Sequence, residues 1–135
     1  MVIVPVPAIE QHGPQLPIGT DYFTGGELAK LIPQKTDVLV APILLHGISP
    51  YHVEFPGTIT LSAVTVQRVY FEAVQSLIHH GFRRFMILTS HVGNRNVSRY
   101  ILDRINQETP GIAVELNECR GSVLPKTEAP RSGAV

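Results

Sequence analysis

Residues 2–21 read VIVPVPAIEQHGPQLPIGTD, and this stretch decides how the rest of the chain is read. Val2 to Val6 is a short, β-branched, apolar run of the kind that forms a strand buried on both faces. After it, Pro7, Pro14, Pro17, Gly13 and Gly19 forbid regular structure and stiffen the path. Within that stiff segment lie Glu10, His12 and Asp21. A strand that runs into a rigid loop carrying two carboxylates and an imidazole suggests a sheet protein with its chemistry at the strand ends.

Three further runs look like buried strands: Asp37 to Leu44, Phe85 to Leu88 and Ile112 to Leu116. Between the strands, apolar residues recur with helical period over Tyr22 to Ile32, Ser62 to His80 and about Asn96 to Glu108. Ser62 is placed to cap the second helix, Gly81 to stop it, and Pro110-Gly111 to end the third. The alternation β-α-β-α-β-α-β requires crossovers between parallel neighbours. The expected fold class is therefore α/β, a three-layer sandwich with a mostly parallel sheet and helices on both faces.

With 135 residues the chain is expected to be a single domain, 1–135, with residues 121–135, rich in Pro, Gly and Ser, as a loose tail. Lys plus Arg equals Asp plus Glu at 11 each, so there is no basic field to draw nucleic acid and no polybasic run for an anionic membrane. The absence of a long apolar run and of a basic leader gives the expectation of a cytoplasmic protein. Cys119 is the only cysteine, so a metal, if held, falls to His, Asp and Glu. Nothing beside Cys119 supplies a base, and it reads as an inert apolar residue.

Ligands of open α/β sheets sit beyond the carboxyl ends of the strands. The loops expected there run over 8–20, 45–61 and 89–95, and they contain four of the six histidines: His12, His46, His52 and His91. Carboxylate oxygen mixed with imidazole nitrogen suits Zn or Mn. The alternative for Glu10, His12 and Asp21 is plain surface polarity, with Asp21 capping the next helix. His91, straight after the third strand, is either a ligand or a ring bonded to a loop carbonyl. In the second loop His46, Ser49, Tyr51, His52 and Glu54 could line a pocket.

The segments EQHGPQLPIGTD, GISPYHVEFPGTITLS and SHVGN, in this order and spacing, resemble the creatininase (creatinine amidohydrolase) family, over roughly Val2 to Leu116. The resemblance implies a metal-dependent amidohydrolase that splits an amide C–N bond, cyclic or linear, in a small molecule. It implies two divalent ions, Zn with Mn, Fe or a second Zn, and a homo-oligomer, often a hexamer. Carried over, it makes Glu10 a ligand of one metal with His91, His12 a ligand of the other, and Asp21 the bridge. Glu10 and His52 are then the expected catalytic residues, with Ser49, Tyr51 and His52 in the substrate pocket. Two departures stand out. Gly93 occupies a position where creatininase itself has a ligating glutamate, and the chain is about half the family's usual length, so the domain is expected to be incomplete. Glu118 or Glu128, or a neighbouring subunit, could supply a further carboxylate. The rival readings are a relative that binds metal or ligand without turnover, and an assembly subunit.

Overall fold

A computed structural model describes residues 1–117 of the chain. Cys119, Glu118, Glu128 and the 121–135 tail lie outside the described residues.

Four strands form one sheet: β1 (Val2–Val6), β2 (Leu39–Val40), β3 (Arg84–Thr89) and β4 (Ile112–Asn117), in the spatial order β2-β1-β3-β4. Every neighbouring pair is parallel. β1 pairs along its whole length with β3, Val2 opposite Phe85 through Val6 opposite Thr89. All five of its residues are buried, as a central parallel strand requires.

The side-chain alternation of the strands sends two sets of residues to opposite faces. Val2, Val4, Val6, Phe85 and Ile87 pack with Val66, Tyr70 and Val74 of helix α2 (Ala63–His79) and with Val97, Ile101 and Ile105 of helix α3 (Arg95–Glu108). Ile3 and Leu88 face the other way, onto Ala29 of helix α1 (Thr20–Leu31). Helices therefore cover both faces, and the three-layer α/β sandwich expected from the alternation is the fold observed. No helix among the described residues is long and apolar enough to cross a membrane.

Local signals explain the helix limits. Ser62 caps α2, its hydroxyl accepting from the Thr65 N–H at 3.1 Å. Past its end Gly81 takes φ +95°, a conformation that side-chain-bearing residues avoid. On α3, Thr109 closes the last turn by donating to the Ile105 carbonyl at 2.7 Å.

One strand is shorter than its sequence suggests. The apolar run Asp37 to Leu44 pairs with β1 only at Leu39 and Val40. A last backbone bond follows, Ala41 N–H to the Ile3 carbonyl at 2.8 Å. Pro42, which has no N–H to offer the ladder, comes next and the chain leaves the sheet.

Tyr70 connects this core to the loop that leaves β2. Its ring is fully buried, and its hydroxyl donates to the Leu45 carbonyl at 2.6 Å. Burial pushes the phenol pKa upward, so the group stays a donor at all ordinary pH. Replacing Tyr70 by Phe is expected to destabilise the fold by about 1–2 kcal/mol, because a buried acceptor loses its partner while the packing is kept. Val64→Ala, on the 72% exposed side of the same helix, should stay within about 0.5 kcal/mol. Urea unfolding checks both, and equal midpoints for the two variants would rule out this anchoring role.

Candidate metal centre

The carboxyl ends of β1 and β3 point to one end of the sheet, where three segments converge: the loop after β1, the long connection after β2 and the turn after β3. The first is pinned at many points. Glu10 N–H donates to the Ile18 carbonyl at 3.0 Å, Ile59 N–H to the Ile9 carbonyl at 3.0 Å, and Gln11 N–H to Thr58 Oγ1 at 3.2 Å. Gly57, at φ +90°, lies so close to Ile18 that an added Cβ would press on that side chain. The FPGT segment is thus the backing against which the EQHG segment is held.

Asn94 ties the rest together. It is wholly buried, its Oδ1 accepts from Ile48 N–H at 2.9 Å, and its Nδ2 donates to the carbonyls of Val6 and Pro7 at 3.1 and 2.9 Å. Ser90 secures α1 by donating to the Asp21 carbonyl at 2.9 Å. Gly25 makes this close approach possible, since a Cβ there would meet Ser90 Oγ.

On this frame Glu10, His12 and Asp21 each offer a ligand atom within 4.8 Å of the others. His91 lies against the same carboxylates, its Nδ1 2.9 Å from Asp21 Oδ2 and 3.4 Å from Glu10 Oε1. Glu10 and His91 are buried; Asp21 and His12 are partly covered.

The ring nitrogens are sorted by their outer contacts. His12 Nδ1 lies 3.1 Å from the Glu10 carbonyl, an acceptor, so this nitrogen carries the proton and Nε2 presents a lone pair toward Asp21 Oδ1 at 3.2 Å. His91 Nε2 likewise donates to the Ile48 carbonyl at 3.0 Å, which turns Nδ1 toward the carboxylates. Both histidines therefore show a bare nitrogen and have the other fixed by a backbone carbonyl, the usual outer support of a metal-bound imidazole.

Glu10 Oε2 and Asp21 Oδ2 are buried and accept no hydrogen bond; His91 Nδ1 is near Asp21 Oδ2 but is not aligned to donate to it. With both imidazoles neutral, lone pairs on four side chains thus face one small volume. Such an arrangement is repulsive until a cation or protons enter, and carboxylate with imidazole fits a borderline divalent ion.

Not every residue singled out in the sequence reaches this place. Ser49 is buried with its hydroxyl unpartnered. His52 is half-buried, its Nε2 3.9 Å from Glu10 Oε2. Tyr51, expected in the pocket, is instead 92% exposed, because it occupies the middle of the short 3-10 turn Pro50–His52, whose outer side it takes. Glu54 is exposed, and His46 takes part in none of these contacts. Two residues that position the site, Asn94 and Gln11, were not singled out by sequence reasoning. An Asn just inside a helix start after a strand and a Gln between two candidate ligands are the signals that point to them.

A match to the creatininase family model, described as creatinine amidohydrolase, covers residues 1–133. The 3-dehydro-scyllo-inosose hydrolase of Thermotoga maritima is 28% identical over 87% of this chain and 38% of its own length. The mycofactocin precursor peptide peptidase of Mycolicibacterium smegmatis is 33% identical over 70% of this chain and 40% of its own. Solved creatininases, among them a Zn–Zn type, an Mn form and a creatine complex, superpose with a TM-score of 0.79 at 25% identity, over 87% of this chain and 50% of theirs. The chain thus spans about half or less of the length of the relatives it matches.

Burial would lower the pKa of His91, but the Asp21 and Glu10 carboxylates outweigh it and hold the imidazolium above its ordinary range. A histidine raised in the folded state adds stability that is complete below about pH 6.5, its unfolded value, and is lost as pH rises through the folded value. In chelator the chain should therefore lose stability as pH climbs above about 6.5, and His91→Gln should flatten that slope. Urea midpoints taken across this range test it; a slope of opposite sign, or one unchanged in the variant, would remove His91 as the cause.

Proposed function

The chain belongs to the creatininase family, and from that premise we propose that it forms the metal-holding part of a hydrolase that cleaves an amide C–N bond, cyclic or linear, in a small molecule. The observation that carries this reading is the pair of buried, unsatisfied carboxylate oxygens on Glu10 and Asp21, facing imidazole nitrogens whose opposite N–H groups are already engaged. Zn and Mn forms among the solved creatininases support a divalent ion of the Zn, Mn or Fe kind. Creatine bound to one of them supports a small-molecule partner.

In this proposal Glu10 and His91 would hold one ion and His12 another, with Asp21 a ligand available to both. A divalent ion there supplies Lewis acidity toward an amide carbonyl and acidifies water near neutral pH. The residues of the chain do the remaining work. The Glu10 and Ile48 carbonyls fix the tautomers of His12 and His91, Asn94 and Ser90 fix the distances between loops, and His52 faces the approach of substrate. Homo-oligomeric assembly, up to a hexamer, and a cytoplasmic location belong to the same proposal. Binding of metal or ligand without turnover is the competing reading.

Metal analysis of the purified, reconstituted chain beside Asp21→Ala tests the proposal. One to two Zn or Mn ions per chain are expected, with affinity in the variant down by about tenfold or more. A panel of a cyclic amide and a short peptide then reads turnover, with an inosose, which has no amide bond, beside them; turnover of the inosose alone would overturn the amide reading. Metal bound with no turnover favours the competing reading, and no metal after reconstitution overturns both.

A further inference from the structure

The cluster accounts for Glu10, His12, Asp21 and His91, but not for the chain of contacts that leads away from it through Gln11. The Gly13 N–H donates to Gln11 at 3.0 Å. An N–H can meet only an acceptor, so the side-chain atom there is the carbonyl oxygen Oε1. The amide nitrogen Nε2 therefore faces the other way, where it lies 2.9 Å from His52 Nδ1. A carboxamide nitrogen has only hydrogens to give, so Nδ1 of His52 is held as an acceptor and its proton sits on Nε2.

The orientation of Gln11 is itself over-determined. Gly13 reaches back to Oε1 because it adopts φ +73°, which its lack of a Cβ permits. The backbone of Gln11 is fastened to Thr58 of the FPGT segment. His52 is set by its 3-10 turn and by the Phe55 ring, 6.3 Å away between centroids, while Phe55 N–H donates to the His52 carbonyl at 3.0 Å. The Nε2 edge of the ring is left facing the cluster, 3.9 Å from the unsatisfied Glu10 Oε2 and partly open to solvent.

We propose that Gln11 is a positioning residue which locks His52 as its Nε2–H tautomer, so that His52 presents a hydrogen-bond donor to the carbonyl oxygen of a bound amide. This deepens the hydrolase reading, on which it rests for the identity of the acceptor; the tautomer itself does not depend on it. A ring held this way is unsuited to two other roles. Nε2 has no lone pair for a metal or for taking a proton. Giving its proton away would leave an imidazolate, since Gln11 offers Nδ1 no proton that it can lose. A neutral imidazole N–H that polarises a carbonyl without transferring its proton is an established device of catalysis.

The test is direct observation of the His52 ring nitrogens by long-range 1H–15N correlation in the full chain, metal-free and zinc-loaded, with His52→Gln to assign the signals. The expected result is a protonated Nε2 and a bare Nδ1 in wild type. In Gln11→Glu, whose carboxylate can only accept, the proton should move to Nδ1; in Gln11→Met the two tautomers should mix. A protonated Nδ1 in wild type, or a pattern unmoved by Gln11→Glu, overturns the proposal. Where an amide substrate turns over, Gln11→Glu should lower kcat about 100-fold with KM within about threefold. His52→Gln, which keeps a donor, should retain at least about tenfold more activity than His52→Leu. Equal loss in those two would overturn the donor role. Absence of turnover would remove the hydrolase reading and leave the tautomer result to stand or fall alone.

Discussion

Asn94 is wholly buried, and its carboxamide accepts from the N–H of Ile48 and donates to the carbonyls of Val6 and Pro7, so three chain segments meet at one side chain. Those segments are the end of β1, the connection after β2 and the turn after β3. The bond to Ile48 N–H satisfies a backbone donor within this junction, and leaving such a group unpaired costs about 1–3 kcal/mol. The neighbouring backbone is shaped to this amide: Gly47 runs so close to it that any Cβ would overlap Asn94. Gly47 N–H in turn donates to the Pro7 carbonyl at 2.7 Å. The distances between Glu10 and His91 follow from this junction, since the segments that carry them lie outside the strands and the long helices, while Asp21, in the first turn of α1, is tied to the same place by Ser90.

The same junction explains what could be foreseen from sequence. Elements governed by local rules were legible: β1 by its apolar β-branched run, α2 by Ser62 at one end and Gly81 at the other, and the parallel sheet by strict alternation of strands and helices. The overlong reading of β2 had a local cause too, since an apolar run such as DVLVAPIL shows where burial is favourable but not where a partner strand stops. Convergence of Glu10, His12 and Asp21 was suggested by spacing within one stiff loop. The roles of Asn94 and Gln11 depend on contacts between segments separated by 40 residues or more, as in the Gln11 to His52 bond at a separation of 41. Periodicity and composition carry no information on such pairs.

Electrostatics and packing act in opposite directions at the cluster. Burial of Glu10 beside Asp21 brings two anionic groups together where water screens them little, which disfavours the folded state. The sandwich supplies the compensating terms elsewhere, in the two apolar layers on either side of β1 and β3. Rigid strands on one side and stiff, proline-rich loops on the other keep the carboxylates from separating. A site held in this way is preorganised, and the free energy that a cation recovers on entering is not spent on ordering the loops.

Gly93 shows how closely this preorganisation is tied to the sequence. A Cβ at this position would meet Nε2 of His91, the atom that donates to the Ile48 carbonyl. A side chain at 93 and the observed seating of His91 therefore exclude each other. Had Gly93 only removed a carboxylate from an otherwise unchanged turn, the space beyond its Cα would be free to receive one. It is filled instead by the ring that Asp21 and Glu10 face. The departure from the creatininase pattern at this residue is thus better understood as a different way of holding His91, with the carbonyl of Ile48 as its support. The carboxylates of Glu10 and Asp21 then form the full anionic part of the cluster among the described residues.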